Sequence, residues 1–198
     1  MPRTRGLMTA PRVGRGRRAL LVLAGLALTA CYRPPAASRP IANIHGSGGL
    51  SASGQWVDVQ LPVARAFVSM PSQPNFLPPT TGVEDDGAAY RTTIGGQNYG
   101  SLQLMVAVSE VDGGIVGQPL DRLADMRQSL LEGAREQAFS LVMVNGSPGF
   151  DIVYVVDDSG QLVKARAVLG RRHIYLLMAM MAPHVEAQHR ATSTDFLG

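Results

Sequence analysis

Two histidines and one glutamate near the end of the chain are the residues whose types best suit metal binding or proton transfer. Glu186 and His189 are three residues apart, and His184 adds a second imidazole nearby. On a helix, however, the five steps between His184 and His189 turn the two side chains about 140° apart. Zinc-binding helices place their histidines four residues apart, and a zinc site needs further ligands. The spacing therefore predicts an ordinary surface helix and no bound metal.

Five methionines could supply soft thioether sulfur, which suits copper(I). They are Met105, Met143, Met178, Met180 and Met181. Strand alternation places Met178 and Met180 on one face, but both lie in a run of Leu and Ala, where methionine commonly fills gaps in a core. We therefore expect these methionines to pack in the core, and we expect no cofactor.

Ser47 and Ser147 have the glycine neighbours that a catalytic serine on a tight turn would need. Neither completes the Gly-x-Ser-x-Gly pattern of a nucleophile elbow. Ser47 lies in a segment that cannot hold a base beside it, and Ser147 fits a turn. The sequence also has no phosphate loop, Rossmann fingerprint or paired-carboxylate motif. We therefore expect no enzymatic activity, although triad residues far apart in sequence leave a hydrolase as an open alternative.

Four basic residues form a candidate binding patch. Lys164 and Arg166 alternate along one predicted strand, and Arg171 and Arg172 follow at the next turn. Such a cluster can attract an acidic partner. The alternative is an exposed strand whose charges prevent pairing with other chains. Both interpretations remain open from the sequence.

The start of the chain has the composition of an export signal. Its first 18 residues contain six arginines and no acidic residue, and residues 19–30 are uncharged. As a helix the uncharged stretch would be about 18 Å long, well short of the roughly 30 Å hydrocarbon layer of a bilayer. Residues 1–30 are therefore predicted to be a signal peptide. Its adjacent arginines loosely resemble a twin-arginine signal, but we favour the general secretory route.

The sequence Leu28-Thr29-Ala30-Cys31 resembles the lipobox of bacterial lipoproteins. The resemblance implies cleavage between Ala30 and Cys31, with diacylglycerol attached to the cysteine. Two or three acyl chains would bury enough methylenes, at about 0.8 kcal/mol each, for stable membrane anchoring. The residue after Cys31 is Tyr32, whereas an aspartate at that position would resemble an inner-membrane retention signal. We therefore expect a lipid-anchored protein of the cell envelope, on the outer membrane facing the periplasm.

Removal of the signal peptide would reverse the charge of the chain. The whole sequence has 18 basic and 15 acidic residues, and the predicted signal peptide takes six of the basic ones, which leaves 12 against 15. A net negative domain gives no electrostatic basis for nucleic-acid binding. Cys31 is the one cysteine of the sequence, so its acylation would leave no thiol for a disulfide or a metal.

The rest of the chain divides into a tether and one domain. Residues 31–55 are rich in Pro, Gly and Ser, which is typical of a flexible tether. Residues 56–198 are expected to form a single domain, because strand patterns surround one clear helical stripe. Strands are predicted at 56–61, 66–70, 89–94, 99–108, 139–144, 150–156, 162–169 and 174–181, helices at 119–137 and 184–196, and a polar loop at 71–87.

Alternation and turn residues predict how these elements lie. The apolar residues at even positions of 102–108 should share one strand face, in a hairpin that turns at 95–98. The run 174–181 is apolar at every position, which predicts a central strand covered on both faces. The sequence therefore predicts an α+β domain: a mainly antiparallel β-sheet with one long amphipathic helix and a short C-terminal helix packed on it.

Three short segments resemble uncharacterised bacterial domains that are grouped with the PsbP and Mog1 folds. The segments are Phe67-Val68-Ser69-Met70-Pro71, Gly146-Ser147-Pro148-Gly149 and His173-Ile174-Tyr175-Leu176-Leu177-Met178. The resemblance covers residues 56–197 and implies an α/β/α sandwich. Better known members of that group bind proteins, so the resemblance implies a protein partner and offers no catalytic residue.

These observations lead to one main hypothesis of function and two alternatives. A membrane anchor without a recognisable reaction centre indicates an envelope lipoprotein that binds another protein or joins a larger assembly. The apolar strand 174–181 and the methionines favour, as an alternative, a carrier or chaperone for a small apolar ligand. The hydrolase is the third hypothesis.

Overall fold

The computed structural model describes residues 56–62, 64, 66–83 and 87–198. The predicted signal peptide, Cys31 and the predicted tether lie outside the described residues. The strands are β1 (Val57–Gln60), β2 (Phe67–Met70), β3 (Asn75–Phe76), β4 (Thr80–Val83), β5 (Ala89–Tyr99), β6 (Leu102–Val111), β7 (Ala134–Val144), β8 (Ser147–Val156), β9 (Leu162–Leu169) and β10 (His173–Met181). The helices are α1 (Pro119–Leu130) and α2 (Glu186–Leu197), and a 3-10 turn at Pro183–Val185 leads into α2.

Eight of these strands form one antiparallel sheet. Its order is β3-β5-β6-β10-β9-β8-β7, and β4 also pairs with β5. The strands β1 and β2 form a separate hairpin. Helix α1 packs on β8 and β9, and helix α2 packs mainly on β10 and β9. A mainly antiparallel sheet with helices packed on it confirms the predicted α+β class.

Strand β10 lies in the middle of the sheet and is covered on both faces, as its sequence predicts. It pairs with β6 on one side and with β9 on the other. Met178 belongs to a buried core with Leu123 of α1. Its neighbour Ala179 belongs to a second buried core with Phe196 of α2. These two sides of the sheet are called the α1 face and the α2 face below.

Helix α1 is shorter than the sequence predicts. The predicted helix 119–137 ends at Leu130. Gly133 has a φ of 71°, a left-handed conformation that favours glycine and ends helices. Ala134 then begins β7, which pairs with the end of β8. Pairing with the sheet therefore replaces the last helical turns, and Arg135, which lies within the predicted helix 119–137, belongs to a strand.

Two places predicted as turns, residues 95–98 and Ser147, lie instead in strands β5 and β8. Glycines in these two strands allow neighbouring atoms to approach closely. The β5–β6 hairpin turns at residues 100–101 and not at 95–98. Gly95 lies beneath the Phe76 ring, where an added Cβ would be 2.6 Å from ring carbons. Gly149 lies in β8, where an added Cβ would be 2.3 Å from a main-chain oxygen of β9.

The segment 71–87, predicted as a polar loop, contains two short strands. Both β3 and β4 pair with β5 at one side of the sheet. Prolines at 71, 74, 78 and 79 interrupt the strand pattern, so the sequence does not reveal strands of two and four residues.

Other predicted elements agree closely with the structure. Strand β9 has the predicted bounds 162–169, and the closing helix differs by two residues at its start. The even-numbered residues of 102–108 are all buried on the α2 face. Across the residues that the structure describes, no helix is both long and apolar enough to cross a bilayer.

Candidate functional site

The first two residues of the predicted basic patch, Lys164 and Arg166, each form an ion pair within the domain. Lys164 Nζ is 2.7 Å from Glu186 Oε1 at the start of α2. Arg166 makes two parallel hydrogen bonds to Asp151, with Nε–Oδ1 at 2.7 Å and Nη2–Oδ2 at 2.8 Å. The bonds to this carboxylate raise the pKa of Arg166 further above its ordinary value. These two cations therefore neutralise carboxylates inside the domain.

Together these contacts hold both ends of α2 on the sheet. At the first turn, Arg190 and Lys164 donate hydrogen bonds to Glu186 and lower the pKa of its carboxyl to about 2. A carboxylate is favourable there because the start of a helix carries partial positive charge. At the last turn, Arg166 Nη1 donates to the main-chain oxygens of Leu197 and Gly198. Strand β9 therefore orients the closing helix.

The other two residues of the predicted patch, Arg171 and Arg172, lie exposed in the turn between β9 and β10. Arg172 Nη2 is 3.6 Å from Glu110 Oε1, which is a loose contact. The main-chain oxygens of Arg171 and Arg172 accept hydrogen bonds from Ile115 and Val111. The four cations therefore divide into an ion-paired group under α2 and an exposed group in a turn, and a binding role for the exposed group stays a prediction.

The histidines and the glutamate with metal-ligand chemistry have separate contacts. His184 is exposed in the 3-10 turn, whereas His189 is buried on the inner face of α2. Glu186 is occupied by Lys164 and Arg190. Within the described part of the chain, no three histidine, cysteine, aspartate or glutamate side chains are grouped so that they could hold a metal ion.

A serine and a histidine that the sequence does not associate are hydrogen-bonded in the structure. Ser101 Oγ in the β5–β6 turn is 2.8 Å from His189 Nε2, although the two residues are 88 positions apart. This is the distance of a serine and its general base. No carboxylate of the described residues hydrogen-bonds to His189, so the orienting third member of a triad is missing from this pair. The bond links the inner face of α2 to a hairpin turn.

The earlier serine candidates do not join this pair. Ser47 lies outside the described residues, and Ser147 is the first residue of β8. Of the methionines, Met105, Met178 and Met180 lie in the core on the α1 face, and Met181 lies in the core on the α2 face. Met143 differs from the others because it is exposed on the surface.

Met143 belongs to an apolar surface on strand β7. The side chains of Phe139, Leu141 and Met143 are 38%, 59% and 67% exposed. They point to the α1 face, because they lie opposite residues 152, 150 and 148 of β8. Strand β7 is the end strand of the sheet that the described residues form. We call Phe139, Leu141 and Met143 the β7 apolar row.

One end of this row is closed by helix α1. The guanidinium carbon of Arg127 lies 4.4 Å from the centre of the Phe139 ring, a cation–π distance. Arg127 also makes two hydrogen bonds, of 2.7 and 2.8 Å, to Glu136, and these bonds lower the pKa of that carboxyl. Phe139 is further held by the Phe150 ring, with 5.7 Å between the ring centres. The row is therefore rigid at Phe139 and open at Leu141 and Met143.

The open end of the row is uncharged. Residues 138–144 contain no charged side chain and no proline. Proteins usually protect an edge strand with such residues, because its free main-chain groups can pair with another chain. The row therefore combines exposed apolar side chains with an unprotected strand edge, which is the chemistry of a protein-binding surface. The sequence predicts a strand at 139–144 but carries no signal that this strand lies at the edge.

Comparison with known proteins identifies no family for this chain. No protein-family model matches the sequence, and no curated protein is significantly similar to it. Among solved structures, a protein of unknown function from Pseudomonas aeruginosa shows a distant likeness, with a TM-score of 0.42 and 11% sequence identity. The likeness covers 70% of this chain and 91% of that chain.

Proposed function

We propose that this chain is a membrane-anchored envelope lipoprotein whose α+β domain is a non-enzymatic protein-binding or assembly module. The observation that carries the proposal is the β7 apolar row on an uncharged edge strand. An added strand would gain main-chain hydrogen bonds from the edge and apolar contacts from the row. The partner is a protein, because a small molecule would use a concave pocket and the row lies along a strand edge.

Packing of the apolar strand supports this proposal over a carrier of a small apolar ligand. The hydrophobicity of 174–181 is what favoured a carrier, and side chains of the domain occupy both faces of that strand. The serine and histidine contact supports the proposal over a hydrolase. Ser101 lies exposed on a hairpin turn, and its bond to His189 holds α2 in place.

The anchor part of the proposal rests on the lipobox resemblance at residues 28–31. A lipid on Cys31 followed by the tether 32–55 would hold the domain close to the membrane surface, on the outer membrane facing the periplasm. A tethered module of this kind meets partners that share the membrane or lie next to it.

A photoreactive amino acid at position 141 tests the binding surface. It would be introduced into the full chain in cells, with position 83 as the matched control. Val83 is 62% exposed and lies on β4, far from β7 in the sheet order. We expect irradiation to give a discrete protein adduct from position 141 at a yield several-fold above that from position 83.

A second substitution makes this test specific for the row. Met143→Arg places a charge beside the crosslinker, so it should reduce the adduct strongly, whereas Val83→Arg should leave it unchanged. Equal adduct yields from positions 141 and 83 would overturn the assignment of β7 as the binding surface. Absence of any adduct from position 141 would overturn it as well.

A further inference from the structure

The direction of the free main-chain groups on β7 follows from the turn that ends the strand. Asn145 and Gly146 both have positive φ, 50° and 79°, and Val144 pairs with Ser147. This is a two-residue hairpin of type I′, whose flanking residues exchange two hydrogen bonds with each other. Hydrogen-bonded and non-hydrogen-bonded pairs alternate along antiparallel strands. Residues 144, 142 and 140 therefore bond to β8, and the main-chain groups of 143, 141 and 139 point away from β8, towards an edge that pairs with no other strand of the described residues.

The sequence of β8 agrees with this assignment. Met143 lies opposite Pro148, which has no N–H to donate to β7. The pair formed by Met143 and Pro148 must therefore be a non-hydrogen-bonded one, as the alternation requires. The same three residues of the β7 apolar row thus present their side chains on the α1 face and their main-chain donors and acceptors at the edge.

The regular part of the edge is centred on Leu141. Strand pairing is interrupted by a bulge between Glu136 and Ala138, and the turn begins at Asn145. The regular segment is therefore 138–144, and its middle residue is Leu141. A second copy of the strand, antiparallel to the first, would pair along the whole segment when a two-fold axis passes midway between the two copies of Leu141.

We propose that the occupant of this edge is a second copy of this chain, joined β7 to β7 in an antiparallel arrangement. This inference rests on the proposed function and names the partner. Leu141 would face Leu141 of the second copy, and Phe139 would face Met143. Each of these hydrogen-bonded pairs would exchange two main-chain hydrogen bonds. The two apolar rows would lie on one face, with methionine sulfur against an aromatic ring.

Self-association fits the charges at this edge. No like charges face each other across the two-fold axis, because residues 138–144 are uncharged. The nearest charges, Arg135 and Glu136, are already paired with Asp157 and Arg127. A standard interface buries roughly 800 Å² on each partner, and a single pair of seven-residue strands makes a smaller contact than that. The dimer is therefore expected to be concentration-dependent and to gain from confinement on a membrane surface.

Disulfide trapping of Leu141→Cys in the full chain tests this arrangement. Opposite Cα atoms in a hydrogen-bonded pair are about 5.5 Å apart, which is within the range of a disulfide. Mild oxidation of membranes that contain the variant should give a covalent dimer of twice the chain mass. The wild-type chain, whose one cysteine is Cys31, measures any background from that residue.

Met143→Cys is the matched control, because it is as exposed as Leu141 and lies on the same strand face. In the proposed register two copies of residue 143 lie four residues apart along the strand, about 13 Å, which no disulfide can span. The double variant Phe139→Cys with Met143→Cys should crosslink again. Efficient dimers from Leu141→Cys and the double variant, with little from Met143→Cys alone, would support the proposal.

Two results would overturn the self-association. Crosslinking of Met143→Cys at the level of Leu141→Cys would show that the pairing has no two-fold axis at Leu141. Failure of Leu141→Cys to dimerise, while the photoreactive residue at 141 captures a protein of another mass, would assign the edge to a different partner and leave the proposed function intact. Failure of both experiments would reject the surface and the proposed function together.

Discussion

The ion pair under α2 permits a quantitative prediction, because its removal can be compared with that of an exposed pair. In the variant Arg166→Ala, Asp151 loses two hydrogen bonds and the end of α2 loses the donor to its last carbonyls. Truncating one member of a buried ion pair costs about 3 to 5 kcal/mol. The Arg166 side chain is 17% exposed, but that of Asp151 is 35% exposed, so water can partly solvate the remaining carboxylate. We therefore expect a loss of about 2 kcal/mol in the free energy of unfolding.

The matched control is Arg135→Ala, which removes the pair between Arg135 and Asp157. Those side chains are 71% and 47% exposed, and exposed pairs contribute about 0 to 1 kcal/mol. For a domain of this size, 1 kcal/mol corresponds to roughly 3 °C in the melting temperature. Thermal unfolding of the full chain, followed by circular dichroism, should show a decrease of about 6 °C for Arg166→Ala and less than about 3 °C for Arg135→Ala. Equal decreases, or a larger one for Arg135→Ala, would refute the argument from burial.

Two further predictions concern pH and lipidation. The pKa of Glu186 falls to about 2 in the folded domain, because its carboxylate pairs with Arg190 and Lys164. This pairing therefore stabilises the fold above the unfolded pKa of the carboxyl, and the stabilisation is lost as the pH falls towards 2. The difference in urea midpoint between wild type and Glu186→Gln should therefore be largest near neutral pH and shrink below about pH 4.5; a constant difference would contradict this. Replacing Cys31 with alanine removes the predicted acceptor of diacylglycerol, so labelling with an alkyne fatty acid should be lost. The variant should persist as an uncleaved precursor held loosely at the inner membrane, or be cut elsewhere and released, while thermal unfolding of the domain stays unchanged. Equal labelling of wild type and variant would reject the lipoprotein proposal.

Much of the fold could be predicted from local pattern. Strand β9 and the central position of β10 follow from runs of apolar residues whose period and length leave little choice. The even-numbered residues of 102–108 alternate so regularly that they must share one strand face, and all four are buried together on the α2 face. The predicted end of α1 was wrong. Ala134 continues the apolar stripe of the helix in the sequence, whereas in the structure Gly133 has already turned the chain into β7.

The features of the candidate sites depend on pairings between distant residues. Ser101 and His189 are 88 positions apart, and no spacing rule connects a turn residue with the inner face of a closing helix. Lys164 and Arg166 read as an exposed patch because their partners, Glu186 and Asp151, come from other elements of the sheet and from α2.

The amino-acid sequence by itself determined the α+β class and most of the strands, because apolar side chains that recur at every second residue indicate a strand with one buried face. It also carries the motif on which the predicted anchor rests, at residues 28–31. Only the tertiary structure decided that β7 is an end strand and that Leu141 and Met143 are exposed. The physical reason is that an edge strand and a central strand have similar local patterns. What separates them is whether a further strand lies beside them, and that depends on the order of strands in the sheet.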